Sequence, residues 1–147
     1  MKDSRLENIS YTFIELLNTG KEVDIPVYGM SMFPFFLPGD TVRVKKVAVQ
    51  DLIKGDVVVF RGSLRLVAHR LLSWDKNNRR LFCKGDGLIY KDRPVVFNDY
   101  CGKVILHFRK GRVMESSNLG KRLIAYVSPF TGIVFFILGR IWYRFFK

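Results

Sequence analysis

The sequence predicts a mainly β domain with an N-terminal amphipathic helix before it and a C-terminal apolar helix after it. Apolar residues at helical spacing begin the chain, short apolar segments separated by turn residues follow, and a long uncharged segment lies near the end. A chain of 147 residues, 48% of them hydrophobic, can bury the core of one domain. We therefore expect an N-terminal helix (1–20), a compact β domain (21–115) and a C-terminal segment (116–147).

The N-terminal segment has the pattern of one amphipathic helix over residues 4–18. Its apolar side chains recur at helical spacing; they are Leu6, Ile9, Phe13, Leu16 and Leu17. Ser4 is a candidate N-cap and Gly20 is a stop signal. Acidic residues interrupt every apolar run here, so we do not expect a secretory signal peptide.

The centre of the chain has the pattern of six strands. The segments alternate in polarity or are rich in β-branched residues, and glycine, proline and asparagine occupy the turns between them. The predicted strands are 24–28, 41–47, 57–60, 64–72, 80–84 and 100–108.

The C-terminal segment contains no charged residue at positions 123–138, after which basic and aromatic residues alternate. A helix of these 16 residues is about 24 Å long, shorter than the ~30 Å hydrocarbon core of a bilayer. Extension to Phe146, with arginines that snorkel to the interface, would make it long enough. The segment is therefore a transmembrane anchor, an interfacial helix, or a helix docked on the core or on a partner. We expect Pro129 and Gly132 to kink or weaken it.

Ser31 and His69 are the candidate catalytic pair. Ser31 lies on a turn that follows Gly29, and His69 ends the apolar run 66–68. A serine nucleophile needs an exposed hydroxyl and an imidazole base that a rigid element positions. Taken alone, such a serine is by default a turn residue, and such a histidine is by default a hydrogen-bonded core residue. For the second histidine, His107, we expect this structural role.

Four segments, taken together and in chain order, resemble the catalytic boxes of type I signal peptidases. The segments are 29–40, 54–60, 68–70 and 84–93. The first, which contains Ser31, is similar to the nucleophile box. His69 and Arg70 stand where bacterial members carry Lys-Arg and where endoplasmic-reticulum and archaeal members carry His-Arg. The resemblance covers residues 26–105 and implies the β fold that signal peptidases share with LexA-like peptidases.

The resemblance implies a serine endopeptidase that cleaves leader or signal peptides. Ser31 would attack the scissile carbonyl while His69 accepts its proton, a role that histidine fills near neutral pH. A carboxylate would orient the imidazole. Asp92 and Asp86 match the paired acidic positions of the His-type branch, and Asp92 is favoured because of its spacing and the Arg93 that follows it.

The oxyanion site departs from the family pattern. The residue two positions before the nucleophile is often a serine in signal peptidases, whereas here it is Gly29. The backbone N–H groups of Met30 and Ser31 would therefore stabilise the oxyanion, and loss of one such donor can cost about 10² to 10³ in rate.

Three aspartates, Asp40, Asp56 and Asp86, each follow a glycine. For Asp40 and Asp56 we expect a purely structural role in a turn. For Asp86 both a structural and a catalytic role remain possible.

Residues 33–37, which flank Ser31, include three phenylalanines. They are either a wedge of core or an exposed apolar rim that dips into lipid.

The two cysteines do not indicate a metal site. Cys83 and Cys101 lie in separate apolar segments, and adding His69 and His107 gives no close cysteine pair of the kind that structural zinc sites use. We therefore expect packed thiols, no metal and no other cofactor.

The basic composition leaves other functions to weigh. The net charge of +12 and the pI near 10.0 indicate an anionic partner, either nucleic acid or a membrane surface. The turn at Ser31 also resembles the nucleophile box of LexA-like self-cleaving repressors, so a self-cleaving or nucleic-acid-associated regulator is one alternative. Those repressors use a lysine base where this chain has His69, and the segment before the β domain is too short for a helix-turn-helix. We expect no nucleic-acid partner.

A non-catalytic scaffold on the same fold, bound to a membrane partner through residues 121–147, is the other alternative. The presence of the serine, the histidine and both candidate aspartates favours the enzyme instead. The sequence therefore predicts a membrane-associated serine endopeptidase whose partners are its leader peptide substrates and the membrane.

Overall fold

The computed structural model describes residues 2–63, 65–114 and 118–146. Its elements in chain order are α1 (Lys2–Asn18), β1 (Val23–Pro26), β2 (Thr41–Lys45), β3 (Val57–Arg61), β4 (Leu66–Asp75), β5 (Arg80–Lys84), β6 (Val95–Val96), β7 (Tyr100–Arg109), β8 (Arg112–Val113) and α2 (Asn118–Phe146). Within these residues the eight strands form one antiparallel sheet that curls into a half-barrel. The prediction of a mainly β chain is confirmed.

The sheet has the strand order β1-β2-β7-β3-β4-β5-β6, with β8 paired to β7. The late strand β7 pairs with both β2 and β3, and so it joins the two halves of the sheet. All six predicted strands form, whereas β6 and β8 were missed because two residues are too few to show a period. The predicted strand start at Leu64 and the predicted domain boundary at 115/116 lie outside the described residues.

Two apolar clusters form the core, one on each face of the sheet. Alternate residues of β3 enter different clusters: Val57 and Val59 enter the first, and Val58 and Phe60 the second. Leu17 brings α1 onto the first cluster. This central strand therefore fixes the position of its neighbours β4 and β7 from both sides.

Both cysteines are buried free thiols, as predicted, and they belong to different clusters. Burial, with a smaller contribution from the charge of Asp92, raises the pKa of Cys83 to about 12. Burial also raises the pKa of Cys101. Both groups therefore remain protonated and inert at neutral pH.

The C-terminal helix α2 runs without interruption through positions 129 and 132, so the expected weakening at Pro129 and Gly132 does not break it. One face packs against the β domain through small buried residues, Ala125 and Ser128 among them. The opposite face exposes large apolar side chains, of which Phe130 is 84% exposed. Among the described residues, no helix combines the length and the apolar character needed to cross a membrane.

The aromatic loop 33–37 packs inward. Phe36 is buried in the first cluster, and its ring centroid lies 4.7 Å from that of His107. Phe33 and Phe35 contact α2, with ring centroids 6.3 Å from Trp142 and 6.2 Å from Phe135. The loop is therefore a wedge of core between sheet and helix, not an exposed rim.

Asp40 and Asp56 both stabilise turns, as expected. Each carboxylate accepts the backbone N–H three residues earlier, from Leu37 at 2.8 Å and from Ile53 at 3.0 Å. Asp56 also accepts a bond from the Lys103 ammonium at 3.1 Å. These bonds close the loops that lead into β2 and β3.

Asp40 also connects the turn before β2 to strand β7. His107 Nε2 lies 2.7 Å from its carboxylate, and the Arg109 guanidinium donates to it at 2.9 Å. His107 is therefore the hydrogen-bonded core residue that we expected. Burial acts to raise the pKa of Asp40, but the bonds from Arg109, Leu37 and His107 outweigh it and hold the pKa below its ordinary value.

We predict that Asp40→Asn lowers the free energy of unfolding at neutral pH by about 3 kcal/mol, because it removes the charge that Arg109 and His107 contact. The pKa of Asp40 in the folded chain lies below its ordinary value of 3.8. Its contribution is therefore complete above that pH and is lost as the pH falls through the lower folded value. Urea unfolding of both proteins across a pH series measures this. The exposed Asp51→Asn is the control, and a difference that does not shrink in acid contradicts the prediction.

Candidate active site

Ser31 lies in the loop between β1 and β2, on a turn that the Phe33 N–H closes by donating to the Met30 carbonyl at 3.1 Å. The turn packs against the loop that follows β5, because the Gly87 N–H donates to the Ser31 carbonyl at 2.9 Å. A Cβ on Gly87 would lie 2.7 Å from the Met30 carbonyl oxygen. Only glycine allows this close approach, so the residues after β5 fix the position of the serine turn.

His69 lies near the start of β4 and is buried. Its Nδ1 contacts the Asp92 carboxylate at 2.6 Å. The Asp92 N–H donates to the Cys83 carbonyl at 3.0 Å, which holds the aspartate beside β5. The Phe60 ring packs edge-on to the imidazole with centroids 6.0 Å apart. The carboxylate and the ring together orient the histidine, and Nδ1 is the nitrogen that carries the proton.

The serine turn and the histidine meet at Gly85. A Cβ on this glycine would collide with the Ser31 carbonyl oxygen and would lie 3.0 Å from His69 Nε2. The Ser31 backbone carbonyl and His69 Nε2 therefore both lie beside Gly85, which brings the serine turn next to the imidazole. Among the described residues no hydrogen bond joins the Ser31 hydroxyl to His69. In resting enzymes such bonds are often long and tighten only with substrate.

Asp86 has a different partner. It is fully buried and forms a two-pronged ion pair with Arg70, at 2.8 Å from Nε and 2.5 Å from Nη2. Arg70 Nη1 also donates to the Gly55 carbonyl at 2.8 Å. Of the two candidate aspartates, Asp92 is therefore the one in contact with His69, and Asp86 stabilises the loop on which the site is built.

Lys84 is a residue whose position the sequence did not predict. Its ammonium is buried and donates to the Ser128 carbonyl at 2.8 Å, with the Ser128 hydroxyl and the Gly85 carbonyl at 3.3 Å. Burial lowers the pKa of Lys84, whereas the charges of Asp86 and Asp92 act to raise it. The sequence shows the Lys-Gly-Asp step at 84–86, but it does not show that α2 supplies a buried partner for the lysine from 44 positions away.

Helix α2 lies across the site on its small residues. A Cβ on Gly132 would lie 2.8 Å from the Lys84 ammonium and would collide with the Leu88 carbonyl. One on Gly139 would lie 3.5 Å from the Phe33 ring. These two glycines let the helix axis approach both the loop after β5 and the serine turn.

A cavity of about 640 Å³ opens between the serine turn and α2. Met30, Ser31 and Gly87 line one side, and Phe135, Gly139 and Arg140 belong to the other. Its volume is in the range of pockets that hold small molecules or peptide side chains. Ser31 therefore faces a space large enough for a substrate.

The backbone N–H groups predicted to stabilise an oxyanion, those of Met30 and Ser31, belong to the same turn. Within the described residues, the backbone N–H groups of Met30 and Ser31 donate no hydrogen bond. They are therefore available to an oxyanion formed at Ser31.

Within the described residues, no three His, Cys, Asp or Glu side chains are grouped so that they could hold a metal ion.

Comparison with protein-family models finds no family that matches this chain, and comparison with curated proteins finds no match. The functional interpretation therefore depends on the residues of the site and on their geometry. The deciding features are the bonded pair of His69 and Asp92 and the contact of both loops at Gly85.

We predict that the two candidate aspartates differ in their contribution to stability. Asp86→Asn leaves the buried Arg70 without its counter-charge and should cost about 3–5 kcal/mol. Asp92→Asn should cost far less, because its side chain is 20% exposed and an amide oxygen can still accept from His69. Urea unfolding of both variants measures the difference. Equal losses would contradict this division of roles, and Arg70→Met with Asp86→Leu should recover part of the loss.

Proposed function

We propose that this protein is a membrane-associated serine endopeptidase that cleaves leader or signal peptides from exported or secreted peptides. The observation that carries the proposal is the 2.6 Å contact between His69 Nδ1 and Asp92, with the other imidazole nitrogen turned toward Gly85 and the serine turn. A nucleophile, a base and an orienting carboxylate in this relation are the components of a serine hydrolase. The resemblance of the four segments to signal peptidases supports the substrate class.

In the proposed reaction the Ser31 hydroxyl attacks the scissile carbonyl while His69 Nε2 accepts its proton. Asp92 holds the Nδ1 proton and stabilises the imidazolium that forms. The backbone N–H groups of Met30 and Ser31 donate to the oxyanion of the tetrahedral intermediate. His69 then protonates the leaving amine, and a water molecule deprotonated by His69 hydrolyses the acyl-enzyme.

The outward face of α2 supports the membrane association. It presents exposed apolar side chains along its length; they include Tyr126, Phe130, Ile133, Val134, Ile137, Ile141 and Phe145. Near the C-terminal end of α2, Arg140 and Arg144 are exposed and also line the cavity beside Ser31, and the whole chain has a net charge of +12. An apolar helix face beside basic residues is typical of helices that lie in the interface of an anionic bilayer.

The self-cleaving alternative has weaker support. A LexA-like mechanism needs a neutral lysine beside the nucleophile, whereas the ammonium of Lys84 is bonded to the Ser128 carbonyl. Among the described residues, no hydrogen bond joins Lys84 to Ser31. A non-catalytic scaffold would not need the Ser31 hydroxyl, so Ser31→Ala would leave leader processing unchanged.

We predict that Ser31→Ala abolishes the cleavage of leader peptides. Asp92→Asn should lower kcat by about 10² to 10⁴, because the imidazole loses its orienting charge. Comparing the secreted peptides of cells that carry each variant measures the loss of processing, and cleavage of a leader peptide by the purified proteins measures kcat. Ser73→Ala, an exposed serine on β4, is the matched control. Unchanged leader processing in the Ser31→Ala cells would contradict the enzyme hypothesis and favour the scaffold.

We also predict that the protein sediments with vesicles that contain anionic lipid, and that Phe130→Ser with Ile137→Ser reduces the bound fraction several-fold. Each substitution would remove up to about 2 kcal/mol of apolar burial, so the two together could lower the partition constant by as much as about 10³-fold. Val96→Ser, an exposed position on β6, is the control. Equal sedimentation of all three proteins would show that α2 does not bind the bilayer.

A further inference from the structure

The cavity in front of Ser31 is lined by charged and aromatic residues that the proposed hydrolysis does not use. Its α2 side combines large apolar side chains, Phe135 and Phe136 among them, with the guanidinium groups of Arg140 and Arg144. None of the described residues that line the cavity is acidic. The cavity is therefore lined mainly by apolar residues, and the charged residues among those described in its lining are both basic.

The two arginines are four residues apart on α2, and such residues are neighbours on one helix face. The Arg140 guanidinium lies over the Phe136 ring at 5.5 Å from its centroid, which limits the positions it can take. Two neighbouring guanidinium groups match a carboxylate in charge and in hydrogen-bonding geometry. A basic side chain at the same place would be repelled.

The position of this wall is fixed by contacts outside the catalytic residues. Lys84 bonds Ser128 on the same helix, and Gly132 lies against the Leu88 carbonyl. Gly139, which precedes Arg140, packs on Phe33 and Met30 beside the serine turn. These contacts fix the position of the helix backbone that carries the arginines relative to the serine turn, as a specificity site requires.

We propose that this cavity is the substrate cleft and that it selects peptides in which a bulky apolar side chain near the cut is accompanied by an acidic one. Phe135 and Phe136 contact the apolar side chain, and Arg140 and Arg144 bind the carboxylate. The inference rests on the proposed peptidase function and adds the chemical class of its substrate, with Arg140 and Arg144 as its specificity residues.

Binding to the Ser31→Ala variant tests the cleft without cleavage. Three fluorescent peptides of one apolar sequence carry Glu, Gln or Lys at the same position, and their affinities are measured by anisotropy. The Glu peptide should bind about five- to tenfold more tightly than the Gln peptide, the effect expected of two solvent-accessible charge pairs. Arg140→Gln with Arg144→Gln should remove this preference, and Arg140→Glu with Arg144→Glu should transfer it to the Lys peptide.

Both arginines are exposed, so these variants should fold, and Arg112→Gln on β8 is the control that leaves the preference intact. Equal affinities for the three peptides overturn the inference, and so do arginine variants that change binding to anionic vesicles but leave the preference among the peptides unchanged. Cleavage with Ser31 present separates the two proposals. Selective binding without Ser31-dependent cleavage contradicts the peptidase and leaves the cleft, whereas cleavage without selectivity contradicts only the cleft.

Discussion

The close approach of the backbone at Gly85 and Gly87 to the turn of Ser31 is the constraint on which the rest of the site depends. A side chain on Gly85 would collide with the Ser31 carbonyl and press on His69 Nε2. The flanking residues extend the same construction, because Lys84 bonds α2 and Asp86 bonds Arg70. One short segment therefore positions the turn of Ser31, the imidazole of His69 and the helix that covers them, mainly because its glycines leave room for close contact.

Buried charges connect the parts of this site that are distant in sequence. Asp86 and Arg70 are 16 positions apart, Lys84 and Ser128 are 44 apart, and Asp40 and His107 are 67 apart. Removing a charged group from water is costly, so such contacts add little to net stability but strongly penalise any arrangement in which they are broken. They define which loops meet and therefore define the geometry of the site.

Much of the fold could be predicted because strand alternation is a local signal. The six longer strands have it, and the two-residue strands β6 and β8 do not. Spacing and Arg93 favoured Asp92 over Asp86 as the partner of His69; in the structure Asp92 contacts His69, and Asp86 is paired with Arg70 in the interior. The burial of Lys84 could not be predicted, because it depends on how α2 docks. The inner face of α2 could have been predicted from the spacing of its small residues, Ala125, Ser128, Gly132 and Gly139. It was missed because residues 123–138 contain no charged residue that would distinguish one face from the other.

For the proposed peptidase, the docking of α2 over the cavity has a consequence for which peptide bonds could reach Ser31. The helix has one face on the serine turn and the other open to its surroundings, so a bilayer on the open face would lie about 10 Å from Ser31, the width of a helix. An extended peptide crosses that distance in roughly three residues. On a membrane, the helix would act as a ruler: bonds a few residues above the lipid surface would reach the serine, and bonds farther out along the same chain would pass beyond it.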